Sequence, residues 1–169
     1  MNPPPNVLLV DDSENDLILM RIAFKKAGFG NPPQEAHNGE EAIAYLQGEG
    51  AFGDRLKFPL PTVMLLDLNM PMKDGFDVLD WLRAQPWLKH LPVFVLSASM
   101  QSEDVARAFA AGASSFLVKP GTMEELIRLV GSLKGWLEFN HYPPLRETGA
   151  NQAPVGGVRR EYTSGVPAL

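Results

Sequence analysis

Five polar side chains in this sequence stand where short apolar runs end, and together they could bind a metal ion and a phosphoryl group. They are Asp11, Asp12, Asp67, Ser97 and Lys119. Carboxylates that pack close together stay ionised only beside a compensating cation. Mg²⁺ suits such a set, because it prefers a few carboxylate oxygens, keeps several of its waters and accepts a phosphoryl oxygen as a further ligand. A carboxylate can also act as a nucleophile toward phosphorus and form an acyl phosphate.

The other two side chains of the set complete this chemistry. Phosphoryl transfer depends more on positioning and charge neutralisation than on acid–base catalysis. Lys119 can supply positive charge, and Ser97 can donate a hydrogen bond to a phosphoryl oxygen. No His or Cys stands at the end of an apolar run, which argues against a zinc or copper site.

The spacing of apolar residues predicts elements that would bring these side chains together. Short apolar runs predict five strands, and segments with helical spacing predict five helices in strict alternation with them. This pattern is typical of an α/β fold in which helices cover both faces of a parallel sheet. Right-handed crossovers then place the carboxyl ends of all strands along one edge, where ligands bind. Ser13 and Asp16 resemble a capping pair for the first helix, and residues 48–61 predict an unusually long loop.

Four short motifs resemble, in their order and position, those of the receiver domains of two-component response regulators. They are Asp11-Asp12, Leu66-Asp67-Leu68-Asn69-Met70-Pro71 with Gly75, Ser97-Ala98 and Lys119-Pro120. The resemblance assigns residues 5–139 to a receiver domain and implies a five-stranded doubly wound sheet with the flavodoxin-like order 2-1-3-4-5. That order would put the first strand beside the third, with Asp11 and Asp12 facing Asp67.

The resemblance implies how a metal ion would be held. Asp12 would bind Mg²⁺ directly, and Asp11 would bind it largely through water. Asp67 and the backbone carbonyl of Asn69 would complete the protein ligands.

The resemblance also implies a phosphoryl site. Asp67 would be the phosphoacceptor, and Lys119 would pair with the acyl phosphate. Ser97 and the backbone N–H of Ala98 would bind phosphoryl oxygens. Phe116 stands at the position of the family's switch aromatic, although Phe cannot make the hydrogen bond that Tyr would make there.

Three motif residues are expected to be structural: Pro71, Gly75 and Pro120. Gly75 indicates a turn that needs either a positive φ or the close approach of another segment. The bond between Lys119 and Pro120 is expected to be cis, which only an X-Pro bond adopts at low cost.

A regulatory function follows from the resemblance. The chain would accept a phosphoryl group from a sensor histidine kinase and catalyse only its own phosphotransfer and autodephosphorylation, so it is not expected to be an enzyme. Phosphorylation would draw in Ser97, let Phe116 fill the space behind it and repack the surface of the fourth helix, fifth strand and fifth helix. The long loop at 48–61 and the extended fifth helix resemble the small regulators of phytochrome-type photoreceptor kinases.

The C-terminal part of the sequence raises two further expectations. Trp136, Leu137 and Phe139 extend the last helix with apolar groups that a monomer would leave exposed, which favours a homodimer. Residues 140–169 contain several Pro and Gly and little periodicity, which predicts a flexible extension rather than a separate output domain.

Composition excludes several other classes of protein. A length of 169 residues suits one domain with an extension, and the net charge of -5 gives no sign of sequence-independent nucleic-acid binding. The chain has 0 cysteines, which excludes a disulfide framework and a thiolate metal site. It also lacks an apolar run near the ~20 residues of a membrane helix. With no signal-like start either, a cytoplasmic protein without membrane or direct DNA binding is expected.

Three alternatives remain open on these grounds. An aspartyl-phosphate hydrolase would share the nucleophile, but Asn69 stands where that class has a second catalytic Asp. A flavodoxin-like electron carrier would share the topology, but Asp11 and Asp12 would repel the phosphate of FMN. A receiver that serves only as a scaffold is disfavoured by the intact acidic set.

Overall fold

The predicted strands form one parallel sheet. The computed structural model describes residues 4–141, 143 and 145 of the chain. The strands are β1 (Val7–Val10), β2 (Gln34–Ala36), β3 (Val63–Leu66), β4 (Val93–Ser97) and β5 (Ser115–Val118). Their order is β2-β1-β3-β4-β5, with every neighbouring pair parallel, so the predicted topology is confirmed. This order places the carboxyl end of β1 beside that of β3.

Five α-helices connect and cover the strands. They are α1 (Glu14–Lys26), α2 (Gly39–Gln47), α3 (Gly75–Arg83), α4 (Ser102–Ala110) and α5 (Met123–Phe139). One apolar cluster joins α1 and α5 to one face of the sheet, and a second joins α2, α3 and α4 to the other face. Because helices cover both faces, every residue of β1 and β3 is buried, which explains their uninterrupted apolar sequences.

The long connection between α2 and β3 is held by specific contacts. Arg55 donates hydrogen bonds to the last-turn carbonyls of Tyr45 and Leu46, each over 2.7 Å. The hydroxyl of Tyr45 donates to the carbonyl of Pro59 over 2.7 Å, and its ring packs 5.3 Å from that of Phe52. The loop is therefore as long as predicted, and it is packed against the end of α2.

The end of α5 differs in part from expectation. Leu137 is only 6% exposed and packs in the cluster with α1, so the expectation that a monomer would leave it exposed is wrong. Trp136 packs its ring 4.8 Å from that of Phe94, whereas Phe139 is 86% exposed. Of the predicted extension, residues 142, 144 and 146–169 lie outside the described residues. None of the helices in the described part of the chain has the length and apolarity that a bilayer crossing requires.

Candidate functional site

The carboxyl ends of β1 and β3 bring three carboxylates together. Oxygen atoms of Asp11, Asp12 and Asp67 all lie within 4.8 Å of one another. The pairing of Val10 with Leu66 sets this arrangement, and the N–H of Asp67 donates to the carbonyl of Val10 over 2.9 Å. Asp11 and Asp67 are buried, at 2% and 6% exposed, whereas Asp12 is open to solvent. The prediction that the three acids converge is confirmed.

The acidic group fits a divalent cation electrostatically. Burial raises the pKa of Asp67 to about 6. The charge of Lys119 opposes that rise and the charge of Asp11 adds to it, while the backbone N–H groups of Asn69 and Leu68 lower the pKa by smaller amounts. Two buried carboxylates beside an exposed third are a costly arrangement without further positive charge. Oxygen ligands of this kind, partly open to water, are those that Mg²⁺ prefers.

Lys119 reaches the acidic group from the end of β5. Its Nζ lies 2.7 Å from Asp11 Oδ2, 2.7 Å from Asp16 Oδ2 and 3.7 Å from Asp67 Oδ1. Burial lowers the pKa of Lys119, but the hydrogen bonds to Asp11 and Asp16 outweigh it and hold the pKa above its ordinary value. The lysine is therefore a fixed cation within the site.

Asp16 is a site residue that the sequence did not predict. As expected, the hydroxyl of Ser13 accepts a hydrogen bond from the N–H of Asp16, over 3.3 Å. The carboxylate of Asp16 does not return to Ser13 to complete a capping box and instead binds Lys119. One signal could have identified it: Asp16 lies in the first turn of α1, which begins at the sheet edge where Asp11 and Asp12 stand.

The peptide bond between Lys119 and Pro120 is trans, as is every other peptide bond among the described residues. The expectation of a cis bond is therefore wrong. Cis and trans X-Pro bonds differ by only ~0.5–1 kcal/mol, so local contacts decide between them. Here Lys119 makes both of its short ion pairs from a trans backbone.

The end of β4 brings Ser97 to the same edge of the sheet. Ser97 pairs with Val118 in the register of β4 and β5, and its carbonyl accepts from the N–H of Lys119 over 2.9 Å. Its side chain is fully buried, and the Oγ accepts from the N–H of Ser99 over 3.1 Å. Ala98, next to it, is exposed.

The turn after Asp67 depends on the close approach of two segments. The N–H of Gly75 donates to the carbonyl of Leu68 over 3.0 Å. A Cβ added to Gly75 would lie 2.8 Å from Leu68 Cα and would also meet the carbonyl oxygen of Asp67. Gly75 does not have a positive φ, so close approach is the correct reason for glycine. Asn69 and Pro71 lie exposed in this turn.

Phe116 lies in β5, opposite Val95 of β4. Its side chain is partly buried and packs against the apolar cluster beneath α3 and α4. This position, three residues before Lys119, is compatible with a switch role, which stays a prediction.

The sequence profile of the response regulator receiver domain matches residues 7–131. The chain belongs to this family. It is 34% identical over 138 residues to the response regulator Rcp1 of Synechocystis sp., a match that covers 81% of this chain and 92% of Rcp1. It is 32% identical over 126 residues to the chemotaxis protein CheY-3 of Vibrio cholerae, covering 75% of this chain and 88% of CheY-3.

Solved receiver structures have the same fold. The phosphorylated cyanobacterial phytochrome response regulator RcpA gives a TM-score of 0.76 at 29% identity, covering 84% of this chain and 100% of RcpA. A response regulator in red light signaling of R. palustris gives 0.78 at 31% identity, covering 83% and 99%. The Mn²⁺-bound form of Rcp1 gives 0.70 at 32% identity, covering 83% and 100%.

Membership in the family excludes two of the three alternatives that the sequence left open. A receiver domain of a two-component system is a regulatory phosphoacceptor that binds a divalent metal. The membership of this chain in the family implies a histidine kinase as its partner. The phosphate-ester hydrolase and the flavin electron carrier are therefore set aside.

Proposed function

We propose that Asp67 accepts a phosphoryl group from the phosphohistidine of a sensor kinase, in a reaction that requires Mg²⁺. The observation that supports this most is the convergence of Asp11, Asp12 and Lys119 on a buried Asp67. Three acidic oxygens lie within 4.8 Å of one another, and Lys119 Nζ lies 3.7 Å from Asp67 Oδ1.

The metal would be held by the acidic group and the turn that follows Asp67. Asp12, which is exposed, is suited to bind Mg²⁺ directly, and the buried Asp11 through a water. Asp67 and the backbone carbonyl of Asn69 would be the remaining protein ligands. A Mg²⁺ held there would neutralise the carboxylates and offset the negative charge of the phosphoryl oxygens.

In the transfer step, a carboxylate oxygen of Asp67 attacks the phosphorus. The new P–O bond forms as the P–N bond to the kinase histidine breaks, and the bonding electron pair returns to the imidazole nitrogen. Lys119, the hydroxyl of Ser97 and the N–H of Ala98 would stabilise the phosphoryl oxygens. The Oγ of Ser97 accepts from the N–H of Ser99 and the side chain is buried, while its O–H is the donor that would bind a phosphoryl oxygen once Ser97 turns toward Asp67.

The phosphorylated state would change the surface formed by α4, β5 and α5. Movement of Ser97 frees space behind it, into which Phe116 can turn. Ala108 is the one buried residue in α4, and β5 has none, so α4 and β5 are less buried than β1 or β3. Sparse burial lowers the free energy needed to rearrange an element.

Two partners follow as proposals. The similarity to RcpA, a phytochrome response regulator, and to a response regulator in red light signaling favours a phytochrome-type kinase in the cytoplasm as the phosphodonor. A second copy of the chain is favoured by Phe139, which is 86% exposed at the end of α5 beside Trp136.

Intact-protein mass spectrometry after incubation with Mg²⁺ and acetyl phosphate tests the proposed function. We expect one phosphoryl adduct on the wild-type chain, and none when Mg²⁺ is chelated or when Asp67→Asn is used. Asp80→Asn, which removes an exposed carboxylate of α3, is the matched control and should keep the adduct. A wild-type chain that gains no adduct and binds no beryllofluoride would indicate a scaffold receiver instead.

A further inference from the structure

Lys119 is held toward α1 by a carboxylate that is not part of the acidic group. Its Nζ lies 2.7 Å from Asp16 Oδ2, which is as close as its contact with Asp11 and 1.0 Å closer than its 3.7 Å contact with Asp67. Within the described part of the chain, Asp16 does not belong to the carboxylates whose oxygens gather within 4.8 Å. Asp16 therefore binds the lysine without being placed to bind the metal.

The start of α1 fixes the position of Asp16. The N–H of Ser13 donates to Asp11 Oδ1 over 2.9 Å, and the Oγ of Ser13 accepts from the N–H of Asp16 over 3.3 Å. An acidic residue in a first helical turn is favoured by the helix dipole, but the dipole does not require a partner on a distant strand. Asp16 and Lys119 are 103 positions apart in the sequence, so the contact is made by the tertiary fold.

The ion pair between Asp16 and Lys119 is partly shielded from solvent, so it can restrain the position of the lysine. Exposed ion pairs contribute little to stability, because water screens them and ordering two side chains costs entropy. Here the side chain of Lys119 is 20% exposed and that of Asp16 is 36% exposed, so neither is fully solvated. Lys119 is also restrained by Asp11. The cost of moving its ammonium therefore includes weakening the hydrogen bond to Asp16.

We propose that Asp16 is a positioning residue that holds the ammonium of Lys119 away from Asp67 and thereby weakens the binding of a phosphoryl group at Asp67. The inference rests on the proposed function of Asp67. An ammonium has three donors and makes its strongest hydrogen bonds to anionic oxygens. Two of these donors bind Asp11 and Asp16, and the position they impose leaves the ammonium 3.7 Å from Asp67 Oδ1, so a phosphoryl group on Asp67 has to draw the ammonium away from Asp16. Asp16 thus lowers the fraction of chains that carry a phosphoryl group at a given supply of donor.

A calorimetric titration with beryllofluoride in the presence of Mg²⁺ measures the affinity of the chain for this phosphoryl mimic and tests the proposal. Beryllofluoride stands in for the phosphoryl group on Asp67 and avoids the hydrolysis of the acyl phosphate. We expect Asp16→Asn to bind beryllofluoride roughly 5-fold more tightly than wild type, the upper end for a partly exposed ion pair. Asp16→Glu keeps the carboxylate and should return the affinity toward that of wild type.

Glu14→Gln is the matched control. Glu14 lies in the same first turn of α1, but its carboxylate pairs with Arg21 over 3.1 Å and not with Lys119. This variant removes the same charge from the same helix end without releasing the lysine, and its beryllofluoride affinity should equal that of wild type.

A second readout reports on the lysine itself. The ¹³Cε and Nζ resonances of Lys119 should shift in Asp16→Asn before any ligand is added, and remain unchanged in Glu14→Gln. The affinity for Mg²⁺ should stay close to wild type, because Asp16 is not a proposed ligand. Asp16→Ala repeats both measurements if the Asn variant proves unstable.

The outcomes separate the two levels of the proposal. Tighter binding in Asp16→Asn alone, together with a shifted Lys119 resonance, is the expected result. Unchanged or weaker binding in Asp16→Asn, or equal tightening in Glu14→Gln, would overturn the positioning role while leaving the phosphoacceptor intact. A wild-type chain that neither binds beryllofluoride nor gains a phosphoryl adduct would overturn the proposed function, and the inference with it.

Discussion

Asp67 is a carboxylate with 6% of its surface exposed, and it lies beside a second buried carboxylate, Asp11. Burial and, to a smaller extent, the charge of Asp11 make Asp67 costly to ionise, and both raise its pKa. The cost of ionising Asp67 also favours the binding of a metal cation, because the cation lowers that cost. The nucleophile and the metal site thus share one group of carboxylates, and Lys119 balances only part of its negative charge.

The raised pKa predicts how stability depends on pH in the metal-free chain. Burial raises the pKa of Asp67 to about 6 in the folded state, above ~3.9 in an unfolded chain. The folded state therefore binds more protons in this window. The protonated carboxyl of Asp67 contributes to the free energy of unfolding. This contribution is fully present below about pH 4 and is lost as pH rises through about 6. We expect a loss of about 1–2 kcal/mol, reduced from the full shift by residual solvation.

Urea unfolding in EDTA at pH values on either side of this window measures the effect. Asp67→Asn should lack this component and be more stable than wild type at neutral pH. The same pH dependence in both chains would show that Asp67 does not carry the cost.

Asp12 offers a test of the metal site that does not disturb the core, because it is exposed. Asp12→Asn should weaken Mg²⁺ binding at least ~10-fold, as expected for the loss of a direct charged ligand. Thermal unfolding at increasing Mg²⁺ measures this, since a ligand of the folded state raises the melting temperature with its concentration. If the Mg²⁺-dependent rise in Asp12→Asn equalled that of wild type, Asp12 would not be a ligand.

The order of the strands determines which side chains meet at the candidate site. The apolar runs predicted the strands because helices bury both faces of a parallel sheet, and the motif resemblance supplied their order. Gly75 was predictable as a backbone requirement, although only the structure distinguishes close approach from a positive φ.

Some contacts were not predictable from local sequence. The pairing of Asp16 with Lys119 joins α1 to β5, and no local pattern specifies which carboxylate a distant lysine will choose. Leu137 is a different case. It continues the face of Leu126, Val130 and Leu133 at helical spacing, so its burial was available from periodicity, and treating it as an exposed dimer residue was an error.

The connection between α2 and β3 gives a prediction at the same scale. Arg55→Ala removes hydrogen bonds to the carbonyls of Tyr45 and Leu46 and should lower the free energy of unfolding by about 1.5–3 kcal/mol. Amide exchange should become faster in residues 48–61 and at the end of α2. Leu56→Ala, at a side chain that is 98% exposed in the same loop, should change stability by less than ~0.5 kcal/mol. Equal effects of the two variants would contradict the anchoring role of Arg55.

The candidate site of the chain lies at one edge of the sheet, and the exposed Phe139 lies at the end of α5. We expect a homodimer that uses this end of α5. Sedimentation velocity at tens of micromolar should show a dimer for the wild type and a shift toward monomer for Phe139→Ser. A wild-type chain that is monomeric both with and without beryllofluoride would rule the dimer out.

Asp67, and no other carboxylate of the chain, is the proposed acceptor of the phosphoryl group. The most direct test is borohydride reduction of the chain after incubation with Mg²⁺ and acetyl phosphate, followed by peptide mapping. Borohydride reduces an aspartyl phosphate to homoserine and so marks the acceptor. We predict homoserine at position 67 alone, and none when Mg²⁺ is absent. Homoserine at position 11 or 12, or at no position in a chain shown to bind beryllofluoride, would contradict the assignment.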